Sequence, residues 1–123
     1  MSEPPRPAQR VLIEYQGVHT LRATDALYEE QPDLWRLGEN GRMHTFDDFA
    51  HHFASLTTLD IEVFASHVRF CNDLFSQRGF PLRWLTDAWR IMQQVLEREL
   101  PPALAQEAIE TVRAGVLRSE VPA

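Results

Sequence analysis

Apolar residues recur at helical spacing in consecutive segments of this chain, and prolines or glycines separate these segments. The two clearest stripes are Phe46, Phe49, Ala50, Phe53 and Leu56, then Leu82, Leu85, Trp89, Met92, Leu96 and Leu100. A stripe of this period gives a helix one face to bury. Helices are expected to end or begin at Pro32, Gly79 and Pro101-Pro102. The pattern predicts an all-α fold, a compact bundle of five or six helices in an orthogonal or globin-like arrangement.

The two ends of the chain lack such stripes. Residues 1–8 contain three prolines and are predicted to form a flexible tail. Residues 9–118 are predicted to form a single helical domain, and residues 119–123 a tail or the start of a linker. Residues 9–20 also fit the alternation of a strand, and we favour a helix because the segments after them are helical.

Local signals predict where the individual helices begin and end. Residues 33–42 contain two glycines and an asparagine, which predict a short turn followed by a loop. Thr45 then has the chemistry of an N-cap, with Asp48 in the favourable first turn. Asp60 is expected to cap the next helix, and Gly79 is expected to end it.

Composition limits the partners and the compartment that we expect. The 123 residues include 12 basic and 18 acidic side chains, a formal net charge of −6, and all the basic residues are arginines. Nucleic-acid binding is not expected, because such proteins concentrate positive charge. No apolar run approaches the roughly 20 residues that span a bilayer, so no membrane partner is predicted. The single cysteine, Cys71, excludes an internal disulfide and fits a cytoplasmic protein.

Few side chains in the sequence suggest chemistry. His67 and Cys71 lie four residues apart and share a helix face, so they could line a pocket or ligate one metal ion. The alternative is a buried thiol beside a polar residue, and one cysteine does not supply a usual zinc ligand set, so no metal is predicted. Cys71 sits in an apolar stripe, where a thiol has a raised pKa and is inert. Because no catalytic motif occurs, we expect a protein that is not an enzyme.

Two further features remain open at this stage. A helical bundle with seven phenylalanines and five histidines could house a tetrapyrrole, although an ordinary core needs the same residues and no cofactor is predicted.

Trp84 lies off the buried stripe, with Arg83 and Arg90 on the same helix. A half-exposed tryptophan among arginines is typical of an interface anchor, and the alternative is a side chain that covers the core edge.

One stretch of the chain is also similar to known regulatory domains. The run Pro32-Asp-Leu-Trp-Arg-Leu-Gly-Glu-Asn-Gly-Arg42, followed by Thr45-x-x-Asp48-x-x-x-His52-x-x-x-Leu56, resembles the helical domain that precedes the cobalamin-binding domain in some bacterial regulatory and corrinoid-type proteins. The resemblance covers residues 30–117. The chain is also similar to the globin-related, haem-free sensory domains of stressosome regulators.

The resemblance implies a regulatory or dimerising module. The matching positions are Gly38, Gly41, Arg42, Asp48, His52, Arg78 and Gly79. Cobalamin binding is not carried over, because the chain has no Asp-x-His-x-x-Gly pattern. Arg42 and Asp48 are expected to form an ion pair or a capping interaction, and His52 is expected to complete a polar cluster with them. This cluster either supports the structure or takes part in ligand binding or signal relay.

These features together lead to two hypotheses about function. The leading hypothesis is a non-enzymatic regulatory or sensory domain that acts in signal transduction through protein–protein contacts, as a homodimer. The alternative is a globin-like sensor domain that binds a tetrapyrrole or another small ligand near His52 or His67.

Overall fold

Prolines and glycines divide the chain into helices largely where the sequence predicts. The computed structural model describes residues 3–122 and contains six α-helices and one 3-10 helix. They are α1 (Pro7–Glu14), α2 (Gln16–Glu30), the 3-10 helix (Pro32–Leu37), α3 (Gly38–Leu56), α4 (Ile61–Arg78), α5 (Arg83–Glu99) and α6 (Pro102–Ser119). The described residues form no strand. The prediction of an all-α bundle with five or six helices is confirmed.

One core joins all the α-helices. Helix α4 packs along α6, α2 packs against α3 and α5, and α1 and α5 both pack against α6. The largest fully buried side chains come from all six α-helices and include Leu12, Thr20, Phe49, Phe53, Phe64, Ile91, Met92 and Val112. The fold therefore surrounds the aromatic side chains of α3, α4 and α5 with the other helices.

Local chemistry sets several helix ends as predicted. An Asp60 carboxylate oxygen accepts hydrogen bonds from the backbone N–H groups of Glu62 and Val63, at 2.8 and 3.2 Å. Gly79 ends α4 in the left-handed conformation, with φ of 69°. Residues 9–20 are helical, as favoured from the sequence, and they divide between α1 and α2 near Tyr15.

The predicted loop before α3 is wrong. Residues 32–37 form the 3-10 helix, and α3 begins at Gly38 rather than after Thr45. Gly38 makes the bend between them with φ of 73°, and a Cβ at Gly41 would lie 2.6 Å from the Leu37 Cβ. The two glycines thus permit a bend and a close approach, while the Thr45 hydroxyl donates to the Gly41 carbonyl at 3.1 Å inside the helix.

The predicted tails are also too long. Helix α1 begins at Pro7 and Ala8 is fully buried, so these two residues belong to the domain. The Gln9 side-chain oxygen accepts a hydrogen bond of 2.8 Å from the Arg6 backbone N–H. The Arg6 side chain forms an ion pair with Glu107 of α6. At the other end, α6 extends to Ser119, and the carbonyl of Val121 accepts from Arg69 of α4 at 3.2 Å. Arg6 and Val121 are therefore held against other helices, while residues 1–2 and 123 of the predicted tails lie outside the described residues.

Gly115 allows α6 to pack closely on α4, and its substitution gives a first prediction. A Cβ there would lie 2.7 Å from Cδ2 of Phe64, which is fully buried. We expect Gly115→Val to lower the free energy of unfolding by about 1–3 kcal/mol, because an overpacked core must shift. Urea denaturation measures this effect, with Ala114→Val as the neighbouring control. Equal stability of Gly115→Val and the wild type would contradict this packing.

None of the helices within residues 3–122 combines the length and the apolar character required to cross a bilayer. This finding agrees with the sequence, which contains no long apolar run.

Candidate functional site

A cavity with a volume of about 490 Å³ lies between α2, the 3-10 helix, α3, α4 and α5. Its walls are mainly aliphatic and aromatic, and they include Leu27, Leu34, Phe49, Phe75, Phe80 and Leu85. Its polar side chains are Gln31, His44, Thr45, Asp48, His52, Arg78 and Asp87. An apolar cavity of this size with a few polar groups is typical of small-molecule sites.

Two other depressions differ in character from this cavity. A more open groove of about 550 Å³ between α5 and α6 is lined by Trp89, Ile109 and Val116 and by long polar side chains such as Gln93, Glu97 and Arg113. A smaller depression lies over Tyr28 and Trp35. Of these three depressions among residues 3–122, the 490 Å³ cavity is the one whose lining includes Asp48 and His52, which lie one turn apart on α3.

A group of two histidines and a cysteine meets the cavity through His52, the member of the three that lines it. His52 comes from α3, and His67 and Cys71 come from successive turns of α4. His52 Nδ1 lies 2.8 Å from His67 Nε2, which in turn lies 3.4 Å from Cys71 Sγ. The three atoms are all within 4.8 Å of one another. We call His52, His67 and Cys71 the histidine–cysteine cluster.

Burial keeps all three members of the cluster uncharged at neutral pH. Burial, together with smaller effects of the neighbouring His67 and His51, lowers the pKa of His52 to about 3. Burial and His51 lower the pKa of His67 to about 4. Burial raises the pKa of the Cys71 thiol to about 12, with a contribution from the negative charge of Asp48. The inert thiol predicted from the sequence agrees with this environment.

Aromatic rings enclose the two imidazoles. The Trp89 and His52 rings form an edge-to-face pair at a centroid distance of 4.6 Å, and the Trp89 ring lies 6.2 Å from that of His67. Phe49 approaches His52 from its own helix at 5.8 Å, and Phe64 approaches His67 at 6.1 Å. These rings exclude water, which is the physical cause of the low histidine pKa values.

The predicted polar cluster of Arg42, Asp48 and His52 is wrong in its contacts. Arg42 instead pairs with Asp25 of α2 at 2.6 Å, in the depression over Tyr28. Arg42 and Asp48 are six residues apart on one helix, a rotation of about 240° that separates their faces. His52 Nδ1 bonds to His67 rather than to Asp48.

Asp48 nevertheless lines the cavity beside His52. Burial raises the pKa of Asp48, while the neighbouring His44, His51 and Arg78 act against that increase. The carboxylate and the Arg78 guanidinium therefore act on one another across the same cavity. Arg78, also a matching position of the resemblance, thus belongs to the site, whereas Arg42 does not.

The predicted interface residues have separate roles. Trp84 is 39% exposed, packs on Phe80 and contributes to the cavity wall. Arg90 pairs with Glu30 of α2 at 2.9 Å and with Asp87 at 3.3 Å, so it holds α5 to α2. Arg83 is exposed at the start of α5. A role of Trp84 as an interface anchor stays a prediction.

The pairing of His52 with His67 has no spacing signature in the sequence, because the two residues lie on different helices. Each nevertheless sits on the buried stripe of its helix, beside Phe53 in α3 and beside Val68 in α4. A histidine within each of two apolar stripes is the signal that could have suggested a buried pair.

No protein-family model, curated protein or solved structure matches this chain. The resemblance to regulatory helical domains therefore stays a prediction.

Proposed function

We propose that this chain is a non-enzymatic sensory domain that binds a small, mainly apolar molecule in the 490 Å³ cavity and reports its presence through protein contacts. The observation that supports this proposal is the cavity itself, with apolar walls and few polar groups. The simplest protein contact for such a domain is with a second copy, as a cytoplasmic homodimer.

The polar groups in the cavity suggest the chemistry of the molecule. Arg78 can pair with a carboxylate or another anionic group, because its planar guanidinium offers several donors. Leu27, Phe75 and Leu85 offer apolar contacts to the remainder of the ligand. A molecule with an apolar body and one anionic group fits both features.

A tetrapyrrole is the second candidate ligand. Such molecules are flat and apolar, and the commonest protein ligand of haem iron is a histidine. His52 lines the cavity, and its Nδ1 is held by His67, which leaves Nε2 for an iron. This arrangement matches the general rule that the second nitrogen of an axial histidine is held by a neighbour.

The state of Cys71 supports a role without catalysis. Its thiol has a pKa of about 12, so it is protonated at neutral pH and is a poor nucleophile. Neither histidine of the cluster titrates near neutral pH, whereas a general base works best with a pKa close to the operating pH.

Filling the cavity should remove ligand binding. The probes are 1-anilinonaphthalene-8-sulfonate, which has an apolar body and one anionic group, haemin and aquocobalamin. Thr45 lines the cavity, and we expect Thr45→Trp to weaken binding of the sulfonate probe at least about tenfold, which corresponds to ~1.4 kcal/mol. Fluorescence titration measures this affinity, and a Soret change with haemin identifies a tetrapyrrole site.

Met43→Trp is the matched control, because Met43 lies on the same helix and is 63% exposed outside the cavity. We expect the control to bind like the wild type. Equal affinities of the two tryptophan variants, or no binding of any probe by the wild type, would contradict the proposal. Sedimentation velocity with and without the bound probe then tests whether occupancy changes self-association.

A further inference from the structure

We propose that His52, His67 and Cys71 form a binding site for a single Zn²⁺ ion, with one coordination position open toward the cavity. This inference does not depend on the proposed organic ligand, because it concerns three donors that already lie together.

Two of the three separations between the donor atoms are close to those of a tetrahedral site. With zinc–nitrogen bonds of about 2.05 Å and a zinc–sulfur bond of about 2.3 Å, tetrahedral angles place two nitrogens about 3.3 Å apart and a nitrogen and a sulfur about 3.6 Å apart. The corresponding distances in the protein are 2.8 Å for His52 Nδ1 to His67 Nε2, and 3.4 Å for His67 Nε2 to Cys71 Sγ. An ion therefore requires an opening of roughly half an ångström between the imidazoles.

The donor types also fit zinc. Imidazole nitrogen and thiolate sulfur are both zinc ligands, and three protein ligands leave a fourth position for water or a bound molecule. Calcium and magnesium prefer oxygen donors, so this set does not suit them. His52 and Asp48 both line the cavity, so the fourth position is supplied from that side by water, by Asp48 or by a bound molecule.

The charges around the cluster favour a divalent ion. Two neutral imidazoles and one thiolate leave a net charge of +1 on a bound Zn²⁺. The Asp48 carboxylate is close enough to Cys71 to influence its thiol, and its negative charge offsets the remaining positive charge. The aromatic shell of Trp89 and Phe64 holds the imidazoles in place.

Binding must rearrange the protons of the cluster. One of the two imidazoles donates its N–H across the 2.8 Å contact in the metal-free protein, so that imidazole moves its proton to the other ring nitrogen. The Cys71 S–H bond breaks, a zinc–sulfur bond forms, and the thiol proton leaves to solvent. Two zinc–nitrogen bonds form from lone pairs, and one proton is released for each ion bound.

Cobalt substitution tests the site with the full chain. Co²⁺ is added to the protein in a non-chelating reductant, and we expect one ion per chain with a thiolate-to-cobalt charge-transfer band that stoichiometric Zn²⁺ displaces. Cys71→Ala and His67→Gln should each lose the band and weaken Zn²⁺ binding by more than the roughly 10–100-fold cost of losing an outer-shell partner. His51→Gln is the matched control, because His51 is exposed and adjacent to His52, and it should bind like the wild type.

Several results would overturn the zinc site. The site is refuted if the wild type shows no charge-transfer band or if the band persists in Cys71→Ala. It is also refuted if His51→Gln loses as much Zn²⁺ binding as His67→Gln. Circular dichroism checks that each variant is folded. If a variant unfolds, X-ray absorption at the zinc edge of the wild-type protein decides instead. One sulfur and two imidazoles in the first shell support the site, and a shell without sulfur refutes it.

Discussion

Acidification from pH 7 to pH 4.5 should lower the free energy of unfolding by about 3 kcal/mol through His52 alone. The pKa of His52 is lowered to about 3 in the folded protein because its ring is buried. In the unfolded chain the same ring is exposed and has an ordinary histidine pKa near 6.5. Each pH unit between these values is worth about 1.4 kcal/mol.

The sign follows from which state binds protons first. Below pH 6.5 the unfolded chain takes up a proton on His52, while the folded protein remains neutral there until about pH 3. The stability associated with the neutral ring is therefore complete above pH 6.5 and is lost as the pH falls. His67, with a folded pKa of about 4, and His19, with a pKa lowered by burial, act in the same direction. The raised pKa of Asp48 acts in the opposite direction.

Urea denaturation at a series of pH values measures this slope. We expect His52→Gln to have a clearly shallower slope, because a glutamine has no proton to gain and still offers an amide to His67. His51→Gln should stay close to the wild-type slope, since His51 is exposed and contributes less than burial to the low pKa of His52. A wild-type slope in His52→Gln would show that the acid sensitivity arises elsewhere.

The helix boundaries that depend on local chemistry could be predicted from the sequence. Asp60 caps α4 through its own carboxylate, and Gly79 ends the same helix through its own backbone conformation. Both signals act within a few residues, so a linear pattern contains them. The loop predicted before α3 is wrong because glycines such as Gly38 and Gly41 are compatible with more than one backbone structure. Glycine permits a loop, but it equally permits the close contact of Gly41 with Leu37 that lets the helix start early.

The candidate site depended on contacts that a linear pattern does not contain. Closeness in sequence predicts a pair between Arg42 and Asp48, whereas the partner of Arg42, Asp25, lies on another helix. His67 and Cys71 were placed on one face by their spacing, and that part of the cluster agrees with the structure. His52 joins the histidine–cysteine cluster only because α3 packs on α4, and the helical periodicity of the sequence does not determine that packing.

Replacement of Trp89 by alanine should have the largest effect on stability at neutral pH. Trp89 is only 4% exposed and contacts His52, His67 and Phe64. Removing a buried tryptophan costs about 3–5 kcal/mol, a large fraction of the 5–15 kcal/mol that stabilises a typical domain. At roughly 4 °C per kcal/mol, the thermal midpoint should fall by more than about 10 °C. Trp84→Ala is the control, because Trp84 is on the same helix but 39% exposed, and it should cost only about 1 kcal/mol.

The same substitution separates two causes of the low histidine pKa values. If the aromatic shell excludes water from the rings, Trp89→Ala admits water, raises the pKa of His52 toward its ordinary value and flattens the acid dependence of stability. If the contact between His52 and His67 were the main cause, Trp89→Ala would lose stability at neutral pH but keep the full acid slope. We expect the first result, because burial is the largest contribution to the pKa of both rings. An NMR titration of the His52 ring in the variant measures the pKa directly.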